Sequence, residues 1–162
     1  MQEELEDLLE RVIKAFKEVE GPPRITLSVA RGLDDHQYDE LEKLAKEQRH
    51  HTHWKYVTDD EMKHYHDCWG FMDAQAFQFY LPAFVAMHLN SLIDSGDNRL
   101  LDLDSFPLHR RTVGPEKLTA LNQQQKEVIT DYLYLIEQSI PDELSQKLFR
   151  PTRQAWEKNI KT

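Results

Sequence analysis

The chain has 162 residues, with 20 Lys plus Arg against 29 Asp plus Glu, and its formal charge of -9 repels a phosphate backbone and argues against nucleic acid as a ligand. Hydrophobic residues make up 40%, enough for one packed core and too many for a disordered chain. A single cysteine, Cys68, excludes an internal disulfide framework; no run approaches the ~20 apolar residues of a bilayer span, and Met1-Gln2-Glu3-Glu4 lacks the start of a secretory leader, so a cytoplasmic location is expected.

Leu5, Leu8, Leu9, Val12, Ile13, Phe16 and Val19 recur at three-four spacing opposite a charged face, which predicts an amphipathic first helix. Gly21-Pro22-Pro23 breaks it. Ile25, Leu27 and Val29 then alternate with Arg24, Thr26 and Ser28 at the period of a short strand. Asp34 or Asp35 is placed to cap a second helix with Tyr38, Leu41, Leu44 and Ala45 facing inward. After a polar joint from Gln48 to His53, Thr58 and Glu61 form a capping box before a helix on which Met62, Tyr65, His66 and Trp69 share a face.

Asp73 caps the longest apolar helix, where Phe77, Tyr80, Leu81, Phe84, Val85, His88, Leu89 and Leu92 recur up to Asp94. Ser95 to Pro115 sustains no period and reads as a long, partly anchored loop. Asn122 with Gln125 caps a helix striped by Val128, Ile129, Tyr132, Leu133 and Ile136, and Pro141 opens a last helical stretch that Pro151 is expected to split before Trp156. The sum is a mainly α fold: a single compact helical domain over 1–162, with about six helices and at most one short extended segment.

The densest chemistry lies in His50, His51, His53, His64, His66 and Cys68. On a helix beginning near Thr58, His64 and Cys68 stand about 40° apart around the axis, near enough to share one zinc ion with two ligands from 50–53. The spacings match no structural-zinc pattern, so the preferred reading has no metal: His66 packs beside Tyr65 and Trp69, and His50, His51 and His64 are solvated. His88, on the apolar face, is expected to be a hydrogen-bonded core residue. No nucleophile elbow or phosphate-binding glycine loop is present. Neither catalytic residues nor a cofactor are expected. Between Asp73 and Ser105 five acids face one base, Arg99, and Asp94, Asp97, Asp102 and Asp104 cluster around the loop, where they could dock a basic partner.

Phe77-Gln78-Phe79-Tyr80-Leu81-Pro82-Ala83-Phe84, with Asp73 and Trp54 before it, resembles the signature of an uncharacterised bacterial family known only as a domain of unknown function. Ile25-Thr26-Leu27 with Ala30-Arg31-Gly32-Leu33-Asp34-Asp35, and Leu121-Asn122-Gln123-Gln124-Gln125 with Tyr132-Leu133, are similar to its two ends, so the resemblance covers about residues 10–138 and leaves a helical tail over 141–162. It implies no catalytic residues. By analogy, small acidic bacterial proteins of this kind, with no evident active site, are often immunity partners of secreted toxins or adaptors.

The leading expectation is therefore a non-enzymatic acidic binding protein, an immunity protein that occludes a cognate toxin with a basic surface through Asp94, Asp97, Asp102 and Asp104. One alternative is a zinc hydrolase built on the His50–Cys68 cluster, with Asp67 or Glu61 as base. Another is a regulatory or structural homo-oligomer paired through an exposed patch that includes Trp54, Trp69 and Trp156.

Overall fold

Helix-forming stretches with strong caps dominate the computed structural model of the chain, which describes residues 1–96, 98, 106–110 and 112–161. Its α-helices are α1 (Gln2–Ala15), α2 (Leu27–Asp34), α3 (Leu41–Lys46), α4 (Asp59–His64), α5 (Ala74–Ser95), α6 (Gln123–Ser139) and α7 (Glu143–Ile160). Single 3-10 turns at Tyr38–Glu40, Trp54–Tyr56, Trp69–Phe71 and Pro115–Leu118 link them. No strand forms among the described residues; Glu20 and His53 make a lone antiparallel bridge.

The core is built around α5. Asp73 accepts the Ala76 N–H at its start, and Gly96, at φ 67, ends it in the left-handed conformation that glycine adopts without steric cost. Residues from Ala76 to Leu92 are buried on nearly every side, the pattern of a helix enclosed by others. By length and composition alone α5 would also span a bilayer, but 72% of its most apolar window is buried inside this fold. α1 packs across α5 and α6, and α6 carries α7, while α2 and α3 pair beside them.

Local signals hold at Thr58–Glu61 and Asn122–Gln125, where both capping boxes form, and in the loop before α6, where Phe106 and Leu108 are buried anchors. Other expectations need correction. The alternating segment 25–29 is not extended: the Thr26 hydroxyl accepts from Val29 N–H and starts α2 there. Asp34 and Asp35 therefore end a helix instead of starting one, and Tyr38 points outward, 60% exposed. Pro151 lies inside an unbroken α7, whose first turn is capped by Asp142. All three tryptophans are buried, so they form no exposed patch. Two of their indole N–H groups have internal acceptors, the Phe16 carbonyl for Trp54 and the Thr130 hydroxyl for Trp156.

The end of α1 shows how distant segments are tied together. A helix leaves its last carbonyls without intrahelical donors. Here Gln125 Nε2 donates to Ala15 O at 3.1 Å, Trp54 Nε1 to Phe16 O at 2.9 Å, and His53 Nε2 to Lys17 O at 3.0 Å. Gln125 also accepts from Asn122 N–H and from the Gln78 amide of α5. One buried amide thus joins α1, α5 and α6. On the far side of α6, Glu137 accepts from Arg150 and Arg153 of α7, and Arg153 also reaches Glu157 and stacks on Tyr134. Burial pushes the Glu137 carboxyl up, but the two guanidinium groups outweigh it and hold the group below its ordinary 4.5.

Two outcomes are expected. Gln125→Leu leaves Ala15 O and Asn122 N–H without their partners and should cost about 1–3 kcal/mol per bare buried group in urea unfolding; an unchanged midpoint would contradict this role. Because the Glu137 pKa is depressed on folding, its contribution is whole above the unfolded value of 4.5 and is lost as pH falls through the folded value. Glu137→Gln should accordingly be less stable than wild type near neutrality and close that gap in acid, as read by unfolding at pH values on both sides of 4.5.

Candidate functional site

Polar side chains converge where the 48–53 joint crosses α4 and α5. Gly21 donates its N–H to Thr52 O at 3.0 Å, and a Cβ at Gly21 would meet His51 O at 2.4 Å, so only glycine lets the two segments approach this closely. The joint carries His51 into the core, where its side chain is wholly buried. Gln48, also buried, fixes the joint by accepting the Ser28 N–H of α2 at 2.9 Å.

His51 is held at both ring nitrogens. Nδ1 lies 2.9 Å from the Tyr80 hydroxyl and Nε2 lies 2.8 Å from Glu61 Oε2. Tyr80 oxygen accepts the Leu27 N–H at 3.3 Å, so donor balance assigns its own proton to His51 Nδ1 and leaves Nε2 as the donor to Glu61. Burial lowers the His51 pKa against the pull of Glu61, which keeps the imidazole neutral near pH 7. Glu61 moves the other way from its burial: Thr58 N–H, His51 and His50 together hold its carboxyl below the usual range. Its Oε1 accepts from Thr58 N–H and Oγ1, while Oε2 takes His51 and, at 3.2 Å, the Nε2 of exposed His50.

Glu61 lines one side of an open cleft of about 460 Å³ with Glu47, Asp60, His64 and Tyr65. His64 and Cys68 stand apart from the His50–His51–Glu61 group. Cys68 is buried beside Arg31 and Asp67; its Sγ lies 3.6 Å from Asp67 Oδ1, and burial pushes the thiol up to about 11. Of the sequence expectations, His50 and His64 are exposed as anticipated, His66 is exposed instead of packed, and His51 is buried instead of solvated. His88 is the anticipated hydrogen-bonded core residue, with Nδ1 2.6 Å from Tyr132 Oη and Nε2 2.6 Å from Asn98 Oδ1.

Asp94 is exposed in the last turn of α5; Asp97, Asp102 and Asp104 lie outside the described residues. A second acidic segment lies where α2 ends, its charges reading in the sequence as no more than the outer face and cap of a helix. Asp34, Asp35, Asp39, Glu40 and Glu42 stand without an intervening Lys or Arg, and all but Asp34 are exposed. Tyr38 projects among them. His36, at φ 56, turns the chain there, and its Nδ1 lies 2.9 Å from the Tyr38 hydroxyl. The unbroken acidic run around a single aromatic was the available signal.

Residues 4–160 match DUF6714, a family of unknown function, and the chain belongs to it. The match takes in α7, beyond the 10–138 region that carries the residue-level resemblance. No curated protein and no solved structure matches the chain.

Tyr80→Phe removes the proton that Nδ1 of His51 accepts and the oxygen that Leu27 N–H reaches. A loss of about 1–3 kcal/mol is expected in chemical denaturation, since both partners remain buried. A Phe variant as stable as wild type would show that the phenol does not hold this site together.

Proposed function

We propose that this protein is a non-enzymatic binding protein of the immunity type, acting in the cytoplasm by occluding the active site of a cognate toxin with a basic surface. The observation that carries the reading is the acidic ridge over 34–42, with Tyr38 60% exposed at its centre. Exposed tyrosines are preferred interface anchors, because a large ring with few rotatable bonds buries area at low entropic cost. Carboxylates around it steer a cationic partner and disfavour neutral or acidic ones.

A toxin that attacks nucleic acid or a nucleotide needs cationic side chains in its cleft, and a chain of net charge -9 is complementary to them. Such a complex would bury about 1,200–2,000 Å² in total. The one thiol, that of Cys68, is buried and protonated, and so offers no ready nucleophile. Asp94 in the last turn of α5, with Asp97, Asp102 and Asp104 following it in the sequence, would add a further group of acids for the same partner.

The test is growth rescue against the toxic product of a neighbouring gene. Wild type should restore growth, and Tyr38→Ala combined with Asp39→Lys and Glu42→Lys should weaken binding by about 30-fold or more, the scale of one hot-spot residue, without lowering Tm. Charge reversal at Asp94, Asp97, Asp102 and Asp104 should have a smaller effect. Undiminished binding by the Tyr38 variant would remove the ridge, and failure of wild type to rescue, or a harmless neighbour, would remove the immunity reading.

A further inference from the structure

We infer that His50, His51 and Glu61 form a binding site for a divalent transition metal, with zinc as the fitting probe. The inference is independent of the toxin-binding reading. His50 Nε2 and His51 Nε2 lie 3.2 and 2.8 Å from the same carboxylate oxygen, Glu61 Oε2, and the three ligand atoms all lie within 4.8 Å of one another. Two imidazoles and a carboxylate are a donor set that zinc accepts, with a fourth position left for water. Ligand atoms around a tetrahedral zinc with bonds of about 2.0–2.1 Å stand about 3.3 Å apart, so the two nitrogen–oxygen separations, 3.2 and 2.8 Å, need to open by only a few tenths of an ångström.

What lies behind the three donors separates this group from a chance surface cluster. Thr58 N–H and Oγ1 hold Glu61 Oε1, which fixes the carboxylate plane with Oε2 directed at the histidines. Tyr80 holds the far side of the buried His51 ring. Metal-binding histidines generally have such a partner on the nitrogen away from the ion. His50 supplies the movable donor, its side chain 54% exposed, and Glu61 opens onto the cleft it shares with Glu47, Asp60 and His64, which gives an ion a path from solvent.

Binding through Nε2 places the imidazole proton of His51 on Nδ1, so the hydrogen bond to Tyr80 reverses: His51 donates to the phenol oxygen, and the Tyr80 proton loses its acceptor, a cost that zinc binding has to exceed. Glu61 is held ionised by its partners, and His50, like His51, ligates through Nε2 with its ring proton on Nδ1; no change of oxidation state is involved.

The experiment is calorimetric titration of zinc chloride into the full chain, free of tags and stripped with chelator. One zinc per chain is expected, with Kd about 1 µM or tighter. Glu61→Gln keeps the capping box, since Gln serves at that position, but removes the anionic ligand; His50→Ala removes an exposed side chain. Each should weaken zinc binding by about 10–100-fold or more while the metal-free variants still unfold cooperatively, and His64→Ala should bind as wild type does. The nitrogen-15 resonances of His51 should change from the Nε2–H to the Nδ1–H pattern on zinc addition. Absence of stoichiometric binding at this strength, or equally tight binding by Glu61→Gln and His50→Ala, would overturn the site.

Discussion

A helix buried on nearly every side must find a partner for every polar atom it carries into the core, and α5 imposes this condition on the fold. Three of its buried or half-buried polar side chains reach across to other segments. Gln78 donates to Ala120 O and to Gln125, at the start of α6; Tyr80 meets His51 and Leu27; His88 meets Tyr132 and Asn98. The apolar surface of α5 supplies most of the driving force for assembly, but it is non-directional. These hydrogen bonds set which joint crosses where, because a mismatched register would leave a donor or acceptor bare in a dry interior.

Two tyrosine–histidine pairs repeat one solution to that problem. Tyr80 with His51 and Tyr132 with His88 each place a phenol at Nδ1 and an oxygen at Nε2. Burial raises both phenol pKa values, so each tyrosine keeps its proton and can donate it. The pairs differ in what lies at Nε2. His88 meets a neutral amide, whereas His51 meets a carboxylate at the rim of a cleft, and that difference in charge and access separates a core contact from a group open to ligands.

Much of the fold was legible in the residues because its signals are local. Thr58 with Glu61, Asn122 with Gln125, and Asp73 before α5 each satisfy helix N–H groups within three positions, so spacing alone reveals them. Five residues at 25–29 could not discriminate between periods, and the Thr26 cap prevailed over the alternation. The site was less legible. His51 is buried through a glycine thirty positions earlier and a tyrosine twenty-nine positions later, contacts that no periodicity encodes. Glu61 was visible as a cap, but its second oxygen was not. Leu121 to Gln125 looked like an ordinary helix start, yet the Gln125 amide also closes the end of α1.

The placement of Cys68 has a practical corollary. Its sulfur is sealed beneath the surface and keeps its proton at physiological pH, with the thiol pushed up to about 11. Thiolate is the form that alkylating reagents and peroxides attack, so the folded chain offers them almost nothing. Only molecules that have transiently opened expose the sulfur. The rate at which an added alkylating reagent consumes it is therefore a clock for the breathing of the whole interior, readable by mass spectrometry without introducing a dye or a second cysteine.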